Sequence, residues 1–128
     1  YDPVMKNVVG FMNATGGTLL IGVSDDGEIL GLEPDYSVMK KQDRDGFENV
    51  FNMAFGSMIG IELRQFLDVR FPQMDGQEIC VVSVRPSDRP AYLTSKGSEK
   101  FYILAGNMSQ ALSVSKATDY IRSRFERV

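Results

Sequence analysis

Cations and tyrosines alternate between residues 85 and 102, a stretch whose chemistry suits contact with a polyanion. Its members are Arg85, Arg89, Tyr92, Lys96, Lys100 and Tyr102. Lysine and arginine neutralise the phosphates of a nucleic acid, and tyrosine rings stack on unpaired bases. The spacing therefore predicts a local basic strip that binds nucleic acid. The alternative is a loop whose four cations are merely solvated, which is common at protein surfaces.

A glycine-rich turn, Asn13-Ala14-Thr15-Gly16-Gly17, precedes an apolar run. Backbone N–H groups in such a turn approach a phosphate without hindrance from a side chain. It is not a P-loop, because no Gly-Lys-Ser/Thr follows and a helical pattern comes before the glycines rather than after them. We expect Asn13, Gly16 and Gly17 to shape a turn beside bound nucleic acid. A simple helix C-cap is the alternative.

Two carboxylates, Asp25 and Asp26, follow that apolar run. With another oxygen ligand from elsewhere in the fold they would bind a divalent ion. The alternative is a solubilising hairpin turn, since Asp before Gly is ordinary turn chemistry. The chain has no histidine, which excludes imidazole as base, acid or metal ligand. Its one cysteine, Cys80, excludes an internal disulfide or a multi-thiolate zinc site.

Length and composition bound the class of protein. The chain has 128 residues, of which 43% are hydrophobic and 24% charged, typical of one globular domain over residues 1–128. The formal net charge of -3 provides no global cationic field, so nucleic-acid binding must rest on a local patch. No apolar run approaches the roughly 20 residues that cross a bilayer. We expect a cytoplasmic protein with a reduced thiol. The chain starts without Met, so we expect a fragment that lacks its N-terminal segment.

The elements that position these residues follow from hydrophobic periodicity and turn signals. Helices are predicted from Asp2 to about Asn13, over 44–60 and, after an N-cap at Ser113, over 114–125. Strands are predicted over 18–23, 29–32, 63–71, 78–84, 91–93 and 101–104. Residues 33–42 and 94–100 are interpreted as loops, the first with a short helical turn. Because helices and strands do not alternate strictly, the fold class is α+β, with a mixed, mostly antiparallel sheet packed by about three helices.

The order of these segments resembles the Schlafen AlbA_2 domain family, also described as a divergent AAA-4 or DNA-binding domain. The resemblance covers essentially the whole chain. In its first part it rests on Asn13, Gly16-Gly17, the strand ending Ile21-Gly22-Val23, then Asp25, Gly27 and Gly31. Later it rests on Asp75-Gly76, Arg89-Pro90-Ala91-Tyr92, Phe101-Tyr102-Ile103, Gly106-Asn107 and a closing helix.

The resemblance implies a DNA- or RNA-binding module of a larger bacterial protein, either a transcriptional regulator or an ATPase-like protein. We expect binding without catalysis by this stretch of chain, and no cofactor. The residues expected to contact phosphates are Arg89, Lys96, Lys100 and Asn107. Leu104 and Gln110 stand where the family often has basic residues, which weakens the phosphate-binding argument.

Two other interpretations stay open. Similar domains in animal Schlafens form a metal-dependent endoribonuclease with three metal-binding acids. Asp25 matches the third acid, and the resemblance places the other two upstream of the first helix. Such an enzyme would use Mg²⁺ or Mn²⁺, with Asp26 as a further candidate ligand. The last interpretation is a protein-interaction domain or homodimer that pairs through an exposed edge strand, over 63–71 or 101–104.

Overall fold

The computed structural model describes residues 2–36 and 43–126. Its helices are α1 (Asp2–Asn13), α2 (Glu33–Tyr36), α3 (Arg44–Met58), the 3₁₀ helix η1 (Ile61–Phe66) and α4 (Val114–Arg124). Its strands are β1 (Gly17–Ile21), β2 (Leu67–Arg70), β3 (Gln73–Met74), β4 (Gln77–Glu78), β5 (Cys80–Val84), β6 (Leu93–Ser95), β7 (Ser98–Lys100), β8 (Tyr102–Ala105) and β9 (Met108–Ala111). None of these helices is long and apolar enough to cross a membrane.

The strands pair antiparallel in four small sheets across the described ranges. A three-stranded sheet has the order β1-β5-β2, and β3-β4, β6-β7 and β8-β9 are two-stranded. The α+β class with mostly antiparallel pairing is therefore confirmed. The described part of the chain contains five helical segments: the three predicted helices, the short helical turn predicted within 33–42, which is α2, and η1, which the sequence analysis does not predict.

One hydrophobic cluster joins the helices to the central sheet. Helices α1 and α3 each bury one face, because their apolar residues recur every three or four positions. The fully buried side chains on those faces are Met5, Val8, Val9, Met12, Phe47, Phe51 and Phe55. Strand β5 buries alternate residues, including Cys80. Burial raises the pKa of the Cys80 thiol to about 12, so this side chain is a protonated part of the core.

The prediction of a strand over 63–71 is wrong in its first half. Gly60 has φ +134°, and its carbonyl accepts the N–H of Leu63 at 3.1 Å to begin η1. Arg64 stabilises this helix by donating to Asn52 Oδ1 at 3.0 Å and to the carbonyl of Leu67 at 3.1 Å. Only from Leu67 onward does the chain extend and pair with β5.

The prediction of a second strand over 29–32 is also wrong, since it is reduced to one bridge between Val23 and Ile29. The carbonyl of Gly22 accepts the N–H groups of both Leu30 and Gly31, at 2.7 and 2.9 Å. One carbonyl that accepts two hydrogen bonds therefore replaces regular strand pairing there. The predicted loop over 33–42 contains helix α2, and residues 37–42 lie outside the described residues.

Candidate functional site

A hairpin that the sequence did not predict carries two of the candidate lysines. Strands β6 and β7 are joined by Lys96-Gly97, with φ values of 53° and 75°. Positive φ at both central residues is the geometry of a type I′ turn, whose twist matches that of paired strands. Lysine seldom occupies such a position, so the sequence pattern favours a loop over 94–100 instead. Leu93 pairs with Lys100 and Ser95 with Ser98, which places these four side chains on one face.

That face and the start of α1 enclose a groove of about 240 Å³. The groove is lined by Asp2, Lys6, Leu93, Ser95, Lys96, Ser98, Lys100 and Tyr102. We call it the lysine groove, after Lys6, Lys96 and Lys100. All three lysines are exposed to solvent. The sequence analysis does not identify Lys6 as a candidate residue. The feature that could have indicated it is that Lys6 is the one cation among the residues of helix α1.

The lysine groove contains polar contacts as well as charged side chains. The ammonium of Lys6 lies 5.9 Å from the centre of the Tyr102 ring, within the range of a cation–π contact. The hydroxyl of Ser95 donates to Asp2 Oδ2 at 2.8 Å and so ties the hairpin to the first residue of α1. Asp2 is the single carboxylate among the lining residues. Three ammonium groups against one carboxylate make the groove locally cationic.

Asn13 holds the strands beside this groove in place. Its amide nitrogen donates to the carbonyls of Ala91 at 2.9 Å and Tyr102 at 2.8 Å, and its oxygen accepts the Ala91 N–H at 2.9 Å. The side chain is fully buried. It therefore links the end of α1 to β8 and to the segment before β6.

Gly16 and Gly17 are explained by close packing. Gly16 has φ +82°, and its N–H donates to the carbonyl of Phe11 at 2.9 Å, as in a helix C-cap. A Cβ on Gly16 would lie 2.6 Å from the carbonyl oxygen of Val84, and one on Gly17 would lie 2.6 Å from the Phe11 ring. Neither glycine lines the lysine groove. Their geometry agrees with the C-cap alternative.

Helix α4 covers the end of α1. The hydroxyl of Tyr120 donates to the carbonyl of Asn13, and the Arg124 guanidinium donates to the carbonyls of Ala14 at 2.8 Å and Met12 at 3.3 Å. The last carbonyls of a helix have no partner within it. The donors of α4 supply partners to the carbonyls of Asn13 and Ala14 and add one to that of Met12, which also accepts the N–H and hydroxyl of Ser87. The two side chains of α4 therefore occupy carbonyls of the glycine-rich turn and its helix.

The four residues expected to contact phosphates are not brought together. Lys96 and Lys100 line the lysine groove, whereas Arg89 and Asn107 do not. Arg89 makes two hydrogen bonds to its neighbour Asp88, at 2.8 and 3.2 Å. Hydrogen bonding from Arg89 lowers the pKa of the Asp88 carboxyl. Asn107 is exposed in the turn between β8 and β9.

Arg85 also lies outside the lysine groove. Its guanidinium donates to the carbonyl of Gln65 and lies 5.6 Å from the centre of the Phe66 ring. These contacts attach Arg85 to η1. Of the predicted basic strip, Lys96, Lys100 and Tyr102 therefore line the lysine groove, and Arg85, Arg89 and Tyr92 do not.

Asp25 and Asp26 are exposed in a tight turn. The carbonyl of Ser24 accepts the Gly27 N–H at 2.9 Å, and the Ser24 hydroxyl accepts the Glu28 N–H at 3.0 Å. Over residues 2–36 and 43–126, no three carboxylates or thiols gather to hold a metal ion. Asp25 and Asp26 therefore have no third carboxylate or thiol beside them that could complete a metal site in the described part of the chain.

Comparison with known proteins gives two kinds of match. A family model described as Schlafen, AlbA_2 matches residues 1–113, and no curated protein matches the chain. The crystal structure of the DIP2311 protein from Corynebacterium diphtheriae is similar, with 19% identity and a TM-score of 0.65. The match covers 96% of this chain and 19% of that protein, so the present chain spans about a fifth of its length.

A second similar structure was determined by solution NMR. It is the N-terminal domain of a protein from Nitrosomonas europaea that is described as related to the ATP-dependent DNA helicase RecG. Identity is 22%, the TM-score is 0.53, and the match covers 88% of this chain and 77% of that domain. At these identities, both structures establish similarity of fold.

Proposed function

Since this chain belongs to the Schlafen AlbA_2 family, we propose that it is a nucleic-acid-binding module of a larger bacterial regulator or ATPase-like protein. The lysine groove holds the phosphate backbone. The observation that carries this proposal is the convergence of Lys6, from α1, with Lys96 and Lys100, from a hairpin about 90 residues away, around one concave surface.

The chemistry of the groove suits a chain of phosphates. Each phosphate that a lysine neutralises releases condensed counterions, and this release drives binding at low salt. The hydroxyl of Ser98 lies among the ammonium groups and is a suitable donor to a phosphate oxygen. Because charges more than about 10 Å apart are screened at 0.1 M salt, a local cluster of lysines attracts a polyanion even on an acidic chain.

The similar structures support the larger context. The present chain matches a fifth of the Corynebacterium protein, and the Nitrosomonas domain is the N-terminal part of a protein described as helicase-related. Both observations agree with a module that works within a longer polypeptide. The free thiol of Cys80 agrees with a cytoplasmic location.

Salt-dependent binding tests the proposal. We would measure the fluorescence anisotropy of labelled single- and double-stranded DNA and RNA at about 50 and about 200 mM salt. Three lysine–phosphate contacts predict a slope of log K against log salt between about -2 and -3. Combining Lys96→Ala with Lys100→Ala should weaken binding about tenfold or more and make the slope shallower by about 2.

A matched control removes two cations from elsewhere. Lys116→Ala with Arg122→Ala, on the exposed side of α4, causes the same change in net charge without touching the lysine groove. This control should change affinity less than twofold. The proposal fails if no oligonucleotide binds at the lower salt, or if the two double variants weaken binding equally.

A further inference from the structure

A second groove, of about 280 Å³, lies on the other face of the β6–β7 hairpin. Its apolar wall contains Tyr92, Phe101, Val114 and Ile121, and we call it the aromatic groove. Glu99 also lines it, because residues alternate between the two faces of a strand and Glu99 follows Ser98, which faces the lysine groove.

The aromatic groove presents apolar surface to solvent. Tyr92 is 38% exposed and Val114 86% exposed. The ring of Tyr92 is held at 5.6 Å from that of buried Phe101, which itself lies 5.9 Å from Tyr120. Phe101 therefore packs between the rings of Tyr92 and Tyr120 and supports the Tyr92 ring from one side. An exposed, supported aromatic ring is the usual platform on which an unpaired base stacks.

Lys100 connects the two grooves. It is the last residue of β7 and lines both the lysine groove and the aromatic groove. A chain of phosphates in the lysine groove therefore passes within reach of the aromatic groove at Lys100. This continuity distinguishes the aromatic groove from an isolated apolar surface.

We propose that the aromatic groove takes an unstacked base of a single-stranded nucleic acid whose phosphates lie in the lysine groove. The inference rests on the proposed function and specifies its ligand. To reach both faces of the hairpin, the strand must turn around the end of β7 and expose the face of a base to Tyr92. A duplex does neither, since its bases are paired and stacked.

The consequence is a preference that phosphate contacts alone do not produce. Stacking of one base on an aromatic side chain strengthens binding by about five- to a hundredfold. The lysine groove by itself binds any polyanion of similar charge density. The base in the aromatic groove adds selectivity for single strands over duplexes and over a bare sugar–phosphate chain.

The test compares oligomers of equal length with and without exposed bases. Fluorescence anisotropy would be measured with labelled thymine and uracil homopolymers of about 20 nucleotides, an abasic deoxy oligomer of equal length, and a duplex of equal length. The wild-type chain should bind the base-bearing single strands about tenfold more tightly than the abasic oligomer. The deoxy and ribo arms show which backbone the groove accepts.

Variants at Tyr92 assign the effect to the aromatic groove. Tyr92→Ala should abolish the tenfold preference and leave both the affinity for the abasic oligomer and the salt dependence unchanged. Tyr92→Phe keeps the ring and should retain the preference. The comparison on the wild-type chain needs no variant, so it stands even if Tyr92→Ala does not fold.

The outcomes separate this inference from the proposed function. If the wild-type chain binds base-bearing and abasic strands equally, or duplex more tightly than single strand, the inference is overturned while salt-dependent binding still supports the proposed function. The inference is likewise overturned if Tyr92→Ala keeps the preference. If no oligomer binds at low salt, both are overturned.

Discussion

Two concave surfaces of this molecule carry opposite charge. The lysine groove has three lysines and one carboxylate. A wider concavity of about 440 Å³, formed by α2, the start of α3 and β4, has four carboxylates and one arginine. We call it the acidic concavity, and its lining is Glu33, Tyr36, Asp43, Arg44, Asp45 and Glu78. The net charge of -3 averages over such surfaces, so it does not predict the sign of charge at either one.

Several acids of the acidic concavity stabilise the fold. Asp43 caps α3 by accepting the Gly46 N–H at 2.9 Å. Glu78 accepts the hydroxyl hydrogen of Tyr36 and lies 3.9 Å from the Arg44 guanidinium. The three lysines of the lysine groove are exposed to solvent, and so are Glu33, Asp43 and Asp45 of the acidic concavity. The two surfaces therefore differ in the sign of their charge and in the hydrogen bonds that Asp43 and Glu78 make within the fold.

The largest expected effect is on the free energy of unfolding, and it comes from removing the Asn13 side chain beside the lysine groove. Asn13→Ala leaves the N–H and carbonyl of Ala91 and the carbonyl of Tyr102 without their buried partner. Because an unsatisfied buried polar group costs about 1–3 kcal/mol, we expect a loss of about 3 kcal/mol in the free energy of unfolding. Urea denaturation monitored by circular dichroism measures it.

Asn7→Ala is the matched control on the same helix. The Asn7 side chain accepts one hydrogen bond, from Ser109 at 2.9 Å, and is only partly buried. We expect it to cost about 1 kcal/mol or less. Equal losses for Asn7→Ala and Asn13→Ala would show that Asn13 has no special part in holding β6 and β8.

In the acidic concavity, Tyr36→Phe removes the hydrogen bond that the Tyr36 hydroxyl donates to Glu78. We expect a loss of about 1 kcal/mol near pH 7. Burial, and then the hydrogen bond to Glu78, raise the pKa of Tyr36 above its usual value of about 10. A raised folded-state pKa means that this stabilisation is complete below about pH 10 and is lost as the pH rises further.

The wild-type chain should therefore lose its advantage over Tyr36→Phe between about pH 10 and pH 11. Urea denaturation of both proteins at neutral and alkaline pH measures the difference, in which the titration of other groups cancels. Tyr92→Phe, which removes a hydroxyl from an exposed tyrosine, is the control. An advantage that stays constant with pH would contradict the role assigned to Tyr36.

The sequence predicts what depends on local pattern and misses what depends on distant contacts. Helix α4 and its cap follow from the pattern, and Ser113 accepts the Lys116 N–H as expected. Lys96 and Lys100 are predicted from the composition of their stretch to contact phosphates, and both line the lysine groove. Lys6 is not predicted because it lies beside the β6–β7 hairpin only in the folded chain. Hydrophobic periodicity within α1 does not indicate which distant segment packs beside it.

Arg89 is expected among the phosphate contacts because it is a cation in the same stretch. The structure places it outside the lysine groove, with a hydrogen bond to Asp88. Adjacent residues of opposite charge form an ion pair when the backbone conformation brings their side chains together, and sequence alone does not specify that backbone conformation. The hairpin of β6 and β7 is missed for a similar reason, since lysine rarely adopts positive φ.

The smallest expected effect comes from neutralising one carboxylate in each concavity. Asp2→Asn, in the lysine groove, keeps an oxygen for the Ser95 hydroxyl and removes the one negative charge there. Glu33→Gln makes the same change in the acidic concavity, which shares no lining residue with the lysine groove. Both variants raise the net charge by the same amount, so a difference between them reports position alone.

If phosphates lie in the lysine groove, Asp2→Asn should strengthen oligonucleotide binding about threefold at 0.1 M salt, the effect of removing one nearby repulsive charge. Glu33→Gln should change it by less than about twofold, since screening weakens the more distant charge. Anisotropy titrations with the same labelled single strand measure both. An equal gain in affinity from the two variants would mean that the bound strand approaches the acidic concavity as closely as it approaches the lysines. The reason is that a single carboxylate weakens binding measurably only when it lies close to the bound phosphates.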